Sequence, residues 1–281
     1  MSTRSTSRTQ QACLSLLLSK LVLIGSLACT PQGNPDQASP LPVLDESRLV
    51  DLTYAFDSTT VYWPTANSFK RTVVSFSHTE GGFWYASSDF CASEHGGTHL
   101  DAPIHFAEGK WSNEEIPISR FVGPAVILDV HKACAENPDY LVGVDDVLQW
   151  EEAYGRVPEG AIVLAHTGWG RFWPDQKLYF GSQTPEDTRT LHFPGFSEEV
   201  AVFLTTKRKI DAVALDSPSI DHGPSQEFLA HQVFGDANMP GFENVANLEA
   251  LPQNGAWVIA LPMKIRGGTG GPARIVALLP E

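Results

Sequence analysis

Apolar residues either alternate with polar ones or run unbroken in short stretches along most of the chain. This patterning predicts strands at 48–55, 70–77, 83–90, 124–130, 160–166, 210–215, 256–261 and 274–279. Helical spacing is confined to 145–154, opened by the acids Asp145 and Asp146, and to 196–208 and 225–235. Many strands with few helices predict a mixed α/β domain. Two segments stand apart. Residues 1–20 are rich in Ser, Thr and Gln and carry Arg4, Arg8 and Lys20 without an acid, before an apolar run at 21–28. That order is the pattern of an export signal, and the apolar run is too short to span a bilayer. A small residue followed by Cys29 resembles a bacterial lipoprotein box, which would make Cys29 a lipid anchor; ordinary secretion is the other reading. The expected organisation is a signal at 1–28, a Pro-rich tether at 29–46 and one domain at 47–281, placed in the periplasm or anchored to a bacterial membrane.

Composition narrows the partners. The chain has 19 Lys and Arg against 33 Asp and Glu, a formal charge of -14, so no basic stripe is available to neutralise phosphates and nucleic acid is excluded. Beyond Cys13 and Cys29 only Cys91 and Cys134 occur, with no CxxC spacing, so a thiolate zinc site is not indicated and one disulfide between them is the most the cysteines allow. No phosphate-cradling loop, dinucleotide fingerprint or Ser-His-Asp arrangement is present, and no organic cofactor is expected.

The chemistry concentrates at His95, His99, Asp101 and His105. The offsets are all even, so on an extended chain these side chains share a face. At a rise of ~3.3 Å per residue, His99 and Asp101 are close enough to meet one ion. His95 and His105 would stand roughly 33 Å apart on a straight chain, so the segment must bend. Gly96, Gly97 and Pro103 lie where bending is needed, and they oppose a helix there. Imidazole and carboxylate suit zinc or manganese. The alternative is a polar turn holding hydrogen-bonded histidines.

The run His-x-Gly-Thr-His-x-Asp-x-Pro-x-His-Phe, from His95 to Phe106, resembles the hallmark of the metal-dependent cyclase family, which includes bacterial kynurenine formamidase and isatin hydrolase. The resemblance extends from about residue 48 to 280 through Trp63, the Thr167-Gly-Trp169 element, the Asp216-Ser-Pro-Ser-Ile-Asp221 turn, His231 with Glu243, and the Gly-rich run before Arg274. It implies a compact β-barrel-like core of mixed sheets flanked by helices, and a homo-oligomer. It also implies that His95, His99 and Asp101 bind a divalent metal, with Asp101 bridging to a second ion held by His231 and Glu243. His105 would be the acid/base residue; a fourth ligand is its other reading. Trp63 would contact substrate, and His222 with Ser219 would form a substrate or proton-relay shell.

Each assignment has a plainer counterpart. His231 sits in an apolar helical stretch where a hydrogen-bonded core histidine is common, Glu243 follows a turn where it could be solvated, and Trp63 could be a core residue. His166 replaces the Arg of shorter formamidases, and His78, His131 and His192 have no supporting context and read as surface residues. The expected activity is hydrolysis of a C–N amide bond in a small aromatic amide, an aryl formamide such as N-formylkynurenine, with a cyclic amide of the isatin type as the alternative. The cofactor would be zinc or manganese, as one or two ions. The reading from another class is a surface lipoprotein that only captures metal or a ligand; polyketide cyclisation rests on the family name alone.

Overall fold

The computed structural model describes residues 45–281; the leader, Cys29 and nearly all of the tether lie outside them. In chain order come β1 (Leu49–Asp51), then β2 (Lys70–His78) and β3 (Trp84–Cys91), which form an antiparallel ribbon. After them come β4 (His99–Asp101), β5 (Val122–Asp129), α1 (His131–Glu136), β6 (Leu141–Val142) and α2 (Val144–Tyr154). Next are β7 (Ile162–His166), α3 (Gln176–Tyr179), β8 (Gly195–Phe196), α4 (Glu198–Phe203) and β9 (Ala212–Leu215). Last are α5 (Leu229–Asp236), β10 (Gly241–Glu243), β11 (Trp257–Pro262) and β12 (Gly270–Leu278).

Strands β12, β11, β5, β7, β9, β10 and β4 pair in that order, and β4 pairs back onto β12, closing a barrel. The β5–β7, β7–β9 and β9–β10 pairs are parallel and the others antiparallel. Closure leaves no free edge among these strands. It also explains why β5, β7 and β9 are apolar at nearly every position. Ala125, Ile127, Ile162, Leu164, Ala212 and Ala214 pack with Phe242, Val258 and Ile275 in one cluster. Their chain neighbours Val126, Leu128, Val163, Ala165, Val213 and Leu215 pack instead against Trp150 of α2, Val200 of α4 and Phe234 of α5. Strands buried on both faces lose the alternating pattern. The mixed barrel flanked by helices is the fold expected from the chain.

Some boundaries differ from expectation. The strand read at 48–55 spans only β1, and β12 starts at Gly270 rather than 274. Helix α5 starts at Leu229 rather than 225 because Phe228 sits in the left-handed region, φ 53°. Cys91 is exposed and Cys134 buried, both free, so they form no disulfide. The β2–β3 ribbon pairs with no other described strand and leaves Phe76, Phe83, Trp84 and Phe90 more than half exposed. Among the described residues no helix is long and apolar enough to cross a membrane.

Candidate metal centre

The His95–His105 segment bends where glycine and proline allow it. Gly96 bridges to Tyr62, whose ring occupies the space a Cβ would need, and Gly97 has φ 58°. The chain then runs straight as β4, where Leu100 is fully buried in the barrel and His99 and Asp101 share the opposite face. Pro103 opens a 3-10 turn that reverses direction, and His105 N–H donates to Ala102 O at 2.8 Å. The His105 ring therefore stacks on His95 with centroids 3.8 Å apart and planes at 15°.

Two later elements complete the cluster. β10 pairs with β4 so that Glu243 stands opposite His99. Helix α5 brings His231, and Asp221 orients it, accepting from His231 Nδ1 at 2.7 Å and from its backbone N–H at 3.0 Å. Asp101 Oδ1 lies 2.7 Å from His95 Nδ1 and 3.2 Å from His99 Nε2, while Oδ2 lies 3.0 Å from His231 Nε2. Glu243 Oε1 is 3.2 Å from His231 Nε2, and Oε2 is 3.5 Å from His99 Nε2.

Hydrogen bonds on the outer side of each ring define the tautomers. His99 Nδ1–H donates to Gly97 O at 2.9 Å. His231 Nδ1–H donates to Asp221. Thr269 Oγ1 donates to Glu94 Oε2 at 2.7 Å, so at 2.8 Å it accepts from His95 Nε2–H. In its neutral form each ring thus turns a lone pair toward the oxygens of Asp101 and Glu243, an arrangement that requires a cation among them, either a proton on the imidazole or a metal ion. His99 Nε2 is buried with no hydrogen-bond partner despite its closeness to Asp101. Ligand atoms of His99, Asp101 and Glu243 fall within 4.8 Å of one another, as do those of His95, Asp101 and His105. Imidazoles and carboxylates so placed fit divalent zinc or manganese, with Asp101 offering one oxygen to each side.

Without an ion, protons take the cation's place: burial disfavours charge on His99 and His231, yet Asp101 and Glu243, with Asp221 at His231, push both imidazoles up. Burial likewise opposes charge on Asp101, yet His95, His231 and His99 hold its carboxyl well below the usual range; metal binding would displace those protons. Burial and the charge of Asp101 push Glu243 up. His105 differs from the other three imidazoles: no hydrogen bond to its ring is found among the described residues, so nothing on its outer side presents it as a ligand. Loss of water around its ring, with His95, His231 and His99 nearby and against the pull of Asp101, depresses it from 6.5 to about 4. It is a neutral imidazole at pH 7, able to accept a proton.

The cluster forms one end of a cavity of about 310 Å³ whose walls include Trp63, Phe106, Phe180 and Phe228. Trp63 both packs and lines: its ring meets Phe180 edge-on at 6.0 Å and faces the cavity. Ser219 lines the cavity, but His222 does not. Phe196 N–H donates to Ile220 O and Gly223 N–H to Phe193 O, holding the segment of Asp221 and His222 beside β8. Asp221 turns its carboxylate inward to His231, while His222 does not border this cavity. Sequence reasoning passed over Asn244, Glu94 and Thr269. Asn244 lines the cavity, accepts from Tyr179 Oη at 2.9 Å and donates to Gly97 O at 2.8 Å. Only its place after Glu243 pointed to it.

Comparison with known proteins follows the same lines. The Cyclase family model, described as "Putative cyclase", matches residues 50–222. An isatin hydrolase of Roseibium aggregatum is 31% identical over 208 residues, 71% of this chain and 77% of the relative. A kynurenine formamidase of Salinibacter ruber is 26% identical over 231 residues, 81% of this chain and 96% of the relative. The solved isatin hydrolase A from Ralstonia solanacearum superposes with a TM-score of 0.75 at 31% identity, covering 83% of this chain and 92% of that one.

Proposed function

The chain belongs to the cyclase family, and from that premise we propose that it is a metal-dependent hydrolase opening the C–N amide bond of a small cyclic aryl amide of the isatin type. The observation that carries the substrate class is the cavity wall: among the described residues lining it there is no Lys or Arg, and its acids are the two carboxylates of the metal cluster. A flat uncharged bicycle can stack on Trp63 and the phenylalanines. N-formylkynurenine carries an ammonium and a carboxylate, and burying them without partners is costly. This reverses the order of the two substrates expected from the sequence. The formamide is the second reading, favoured by relatives of that name.

His95, His99, Asp101, His231 and Glu243 would hold the divalent metal, as one ion or two. Such an ion supplies Lewis acidity toward the carbonyl oxygen and acidity to water. The residues of the chain do the rest. Aromatic walls orient the ring and exclude water from it. His105, neutral and borne on the turn after Pro103, takes the proton of the attacking water and returns it to the amide nitrogen. The carbonyl carbon gains hydroxyl, the C–N bond breaks and the nitrogen gains hydrogen, leaving a ring-opened aminoaryl keto acid. The reading as a protein that merely captures metal would make His105 a further ligand, since its ring nitrogen lies within reach of those of His95 and Asp101; the lack of any hydrogen bond orienting its ring favours the acid/base role. Export through the leader, anchoring at Cys29 and self-association belong to this proposal and rest on the sequence.

The test is to load the full chain with Mn²⁺ or Zn²⁺, follow isatin and N-formylkynurenine by absorbance, and run His105→Ala in parallel. Isatin turnover that His105→Ala abolishes while metal content persists is the expected result. Turnover of the formamide alone would reinstate the second reading, and full metal occupancy with neither consumed would sink both.

A further inference from the structure

Two of the histidines unused by the site above meet on a carboxylate of their own. Asp129 and His166 are the last residues of β5 and β7 and stand opposite each other in the parallel register. Val130 N–H donates to His166 O at 3.0 Å, tying the two strand ends together, and α1 begins at once with His131. His131 thus has a context that spacing alone did not reveal. Asp129 Oδ1 lies 2.6 Å from His131 Nδ1 and 3.0 Å from His166 Nδ1. The rings are 5.3 Å apart at 30°, and the three ligand atoms lie within 4.8 Å of one another.

None of these residues lines the cavity of the first cluster. They border a separate open cleft of about 670 Å³. Both Nδ1 atoms converge on Asp129 Oδ1, so a cation replacing the imidazole protons there would meet all three ligands, and Asp129 Oδ2 makes no hydrogen bond among the described residues. His131 is 41% exposed and Asp129 28% exposed at the side chain, so an ion can reach them from solvent. Of the cleft's other charged groups, Arg171 is turned to Gly168 O at 3.1 Å and lies over the Phe172 ring at 4.4 Å. Asp216 accepts from the Thr167 backbone at 2.8 Å, and Glu249 adds a second negative charge to the lining.

We propose that Asp129, His131 and His166 form a second, solvent-accessible site for a divalent transition cation such as Zn²⁺, Ni²⁺ or Cu²⁺, separate from the hydrolytic centre. Two imidazoles with one carboxylate select such ions over Mg²⁺ or Ca²⁺, which take oxygen ligands. Two ligands come from adjacent strand ends in register and the third from two residues on, so backbone pairing prepays most of the ordering. Three protein ligands leave positions open to water or to an anionic group.

The experiment uses the full chain and Zn²⁺ alone, counted by equilibrium dialysis, beside His131→Gln with His166→Gln. The expected result is one equivalent of Zn²⁺ fewer in the double variant, with the tighter ions of the first cluster retained. Cu²⁺ added to the Zn²⁺-loaded wild type should show nitrogen coupling in its electron paramagnetic resonance spectrum that the double variant lacks. Asp129→Asn should weaken the added equivalent by about tenfold or more. Should the double variant not fold, His131→Gln alone, at an exposed helix start, should show the same direction of change. Equal stoichiometry with affinities within threefold would overturn the site and leave a carboxylate merely hydrogen-bonded to two histidines. No turnover is read, so the result is independent of the proposed hydrolysis.

Discussion

Asp221→Asn removes one charge from a residue outside the metal-facing set, and it should disturb both the fold and the metal affinity. Asp221 is 4% exposed. Its Oδ1 accepts from Ala230 N–H at 3.1 Å and Ser225 Oγ at 3.3 Å, and its Oδ2 from His231 N–H at 3.0 Å and Nδ1 at 2.7 Å. The N-cap position of α5 is Phe228, which has no capping side chain, so Asp221 caps this helix from eight positions upstream of its first residue. An amide offers one acceptor oxygen. If that oxygen keeps Ala230, the NH₂ faces the backbone N–H and Nδ1–H of His231, and the ring relieves the conflict by moving its proton to Nε2, the atom aimed at Asp101 and Glu243. One buried N–H loses its acceptor, at a cost of ~1–3 kcal/mol. The loss of an orienting partner should lower metal affinity by about 10- to 100-fold, or ~1.4–2.8 kcal/mol.

Urea unfolding of the metal-free chain and competition against a metal chelator measure the two effects. The sign with pH also follows. Burial raises the Asp221 carboxyl, but His231 and the helix N–H groups outweigh it and hold it below its ordinary value. Its stabilisation is therefore present above the unfolded carboxylate value of ~3.9 and is lost as pH falls through the depressed folded value. The difference between wild type and Asp221→Asn should shrink in that acid range. It should shrink again as pH rises through the value of His231, which burial opposes but Asp101, Asp221 and Glu243 push up. An asparagine variant within threefold in metal affinity and within ~0.5 kcal/mol in stability at pH 7 would refute the reasoning.

His105→Ala should leave metal content intact and lower kcat by ~10²- to 10⁴-fold; loss of metal in parallel would instead make it a ligand. Because His105 is depressed to about 4, an acid limb that it controls should fall well below the ordinary histidine value, and a limb near 6.5 that disappears in His105→Ala would contradict this. Gly97→Ala places a methyl 2.5 Å from the Phe56 ring at φ 58° and should cost ~1–3 kcal/mol by thermal melting; an unchanged midpoint would show that the bend does not need glycine. Phe76→Ser with Trp84→Ser should shift sedimentation toward a smaller species if the exposed ribbon supports self-association, whereas identical sedimentation would free the ribbon of that role.

Much of the barrel was legible because its strands are short apolar runs bounded by turn residues, as at Val126–Leu128 and Ile162–Ala165. The bend of the metal segment was legible too, since Gly97 and Pro103 permit only certain paths. Strands β4 and β10 were not recognised as barrel members. Each has three residues, carries polar ligands, and is defined by its neighbours rather than by its own pattern.

By itself the sequence determined the short apolar runs that become barrel strands and the even spacing that gives His99 and Asp101 one face. The first is a matter of local composition and the second of a backbone with period two, and both are local. Tertiary structure alone decided that Glu243 stands opposite His99 and that Asp221 caps α5 and turns His231. It also decided that His222 is left out of the cavity lining and that Asp129, His131 and His166 meet at two strand ends. These contacts depend on strand register and on packing between segments far apart in the chain. Local periodicity does not encode the distance between two residues that meet only when the barrel closes.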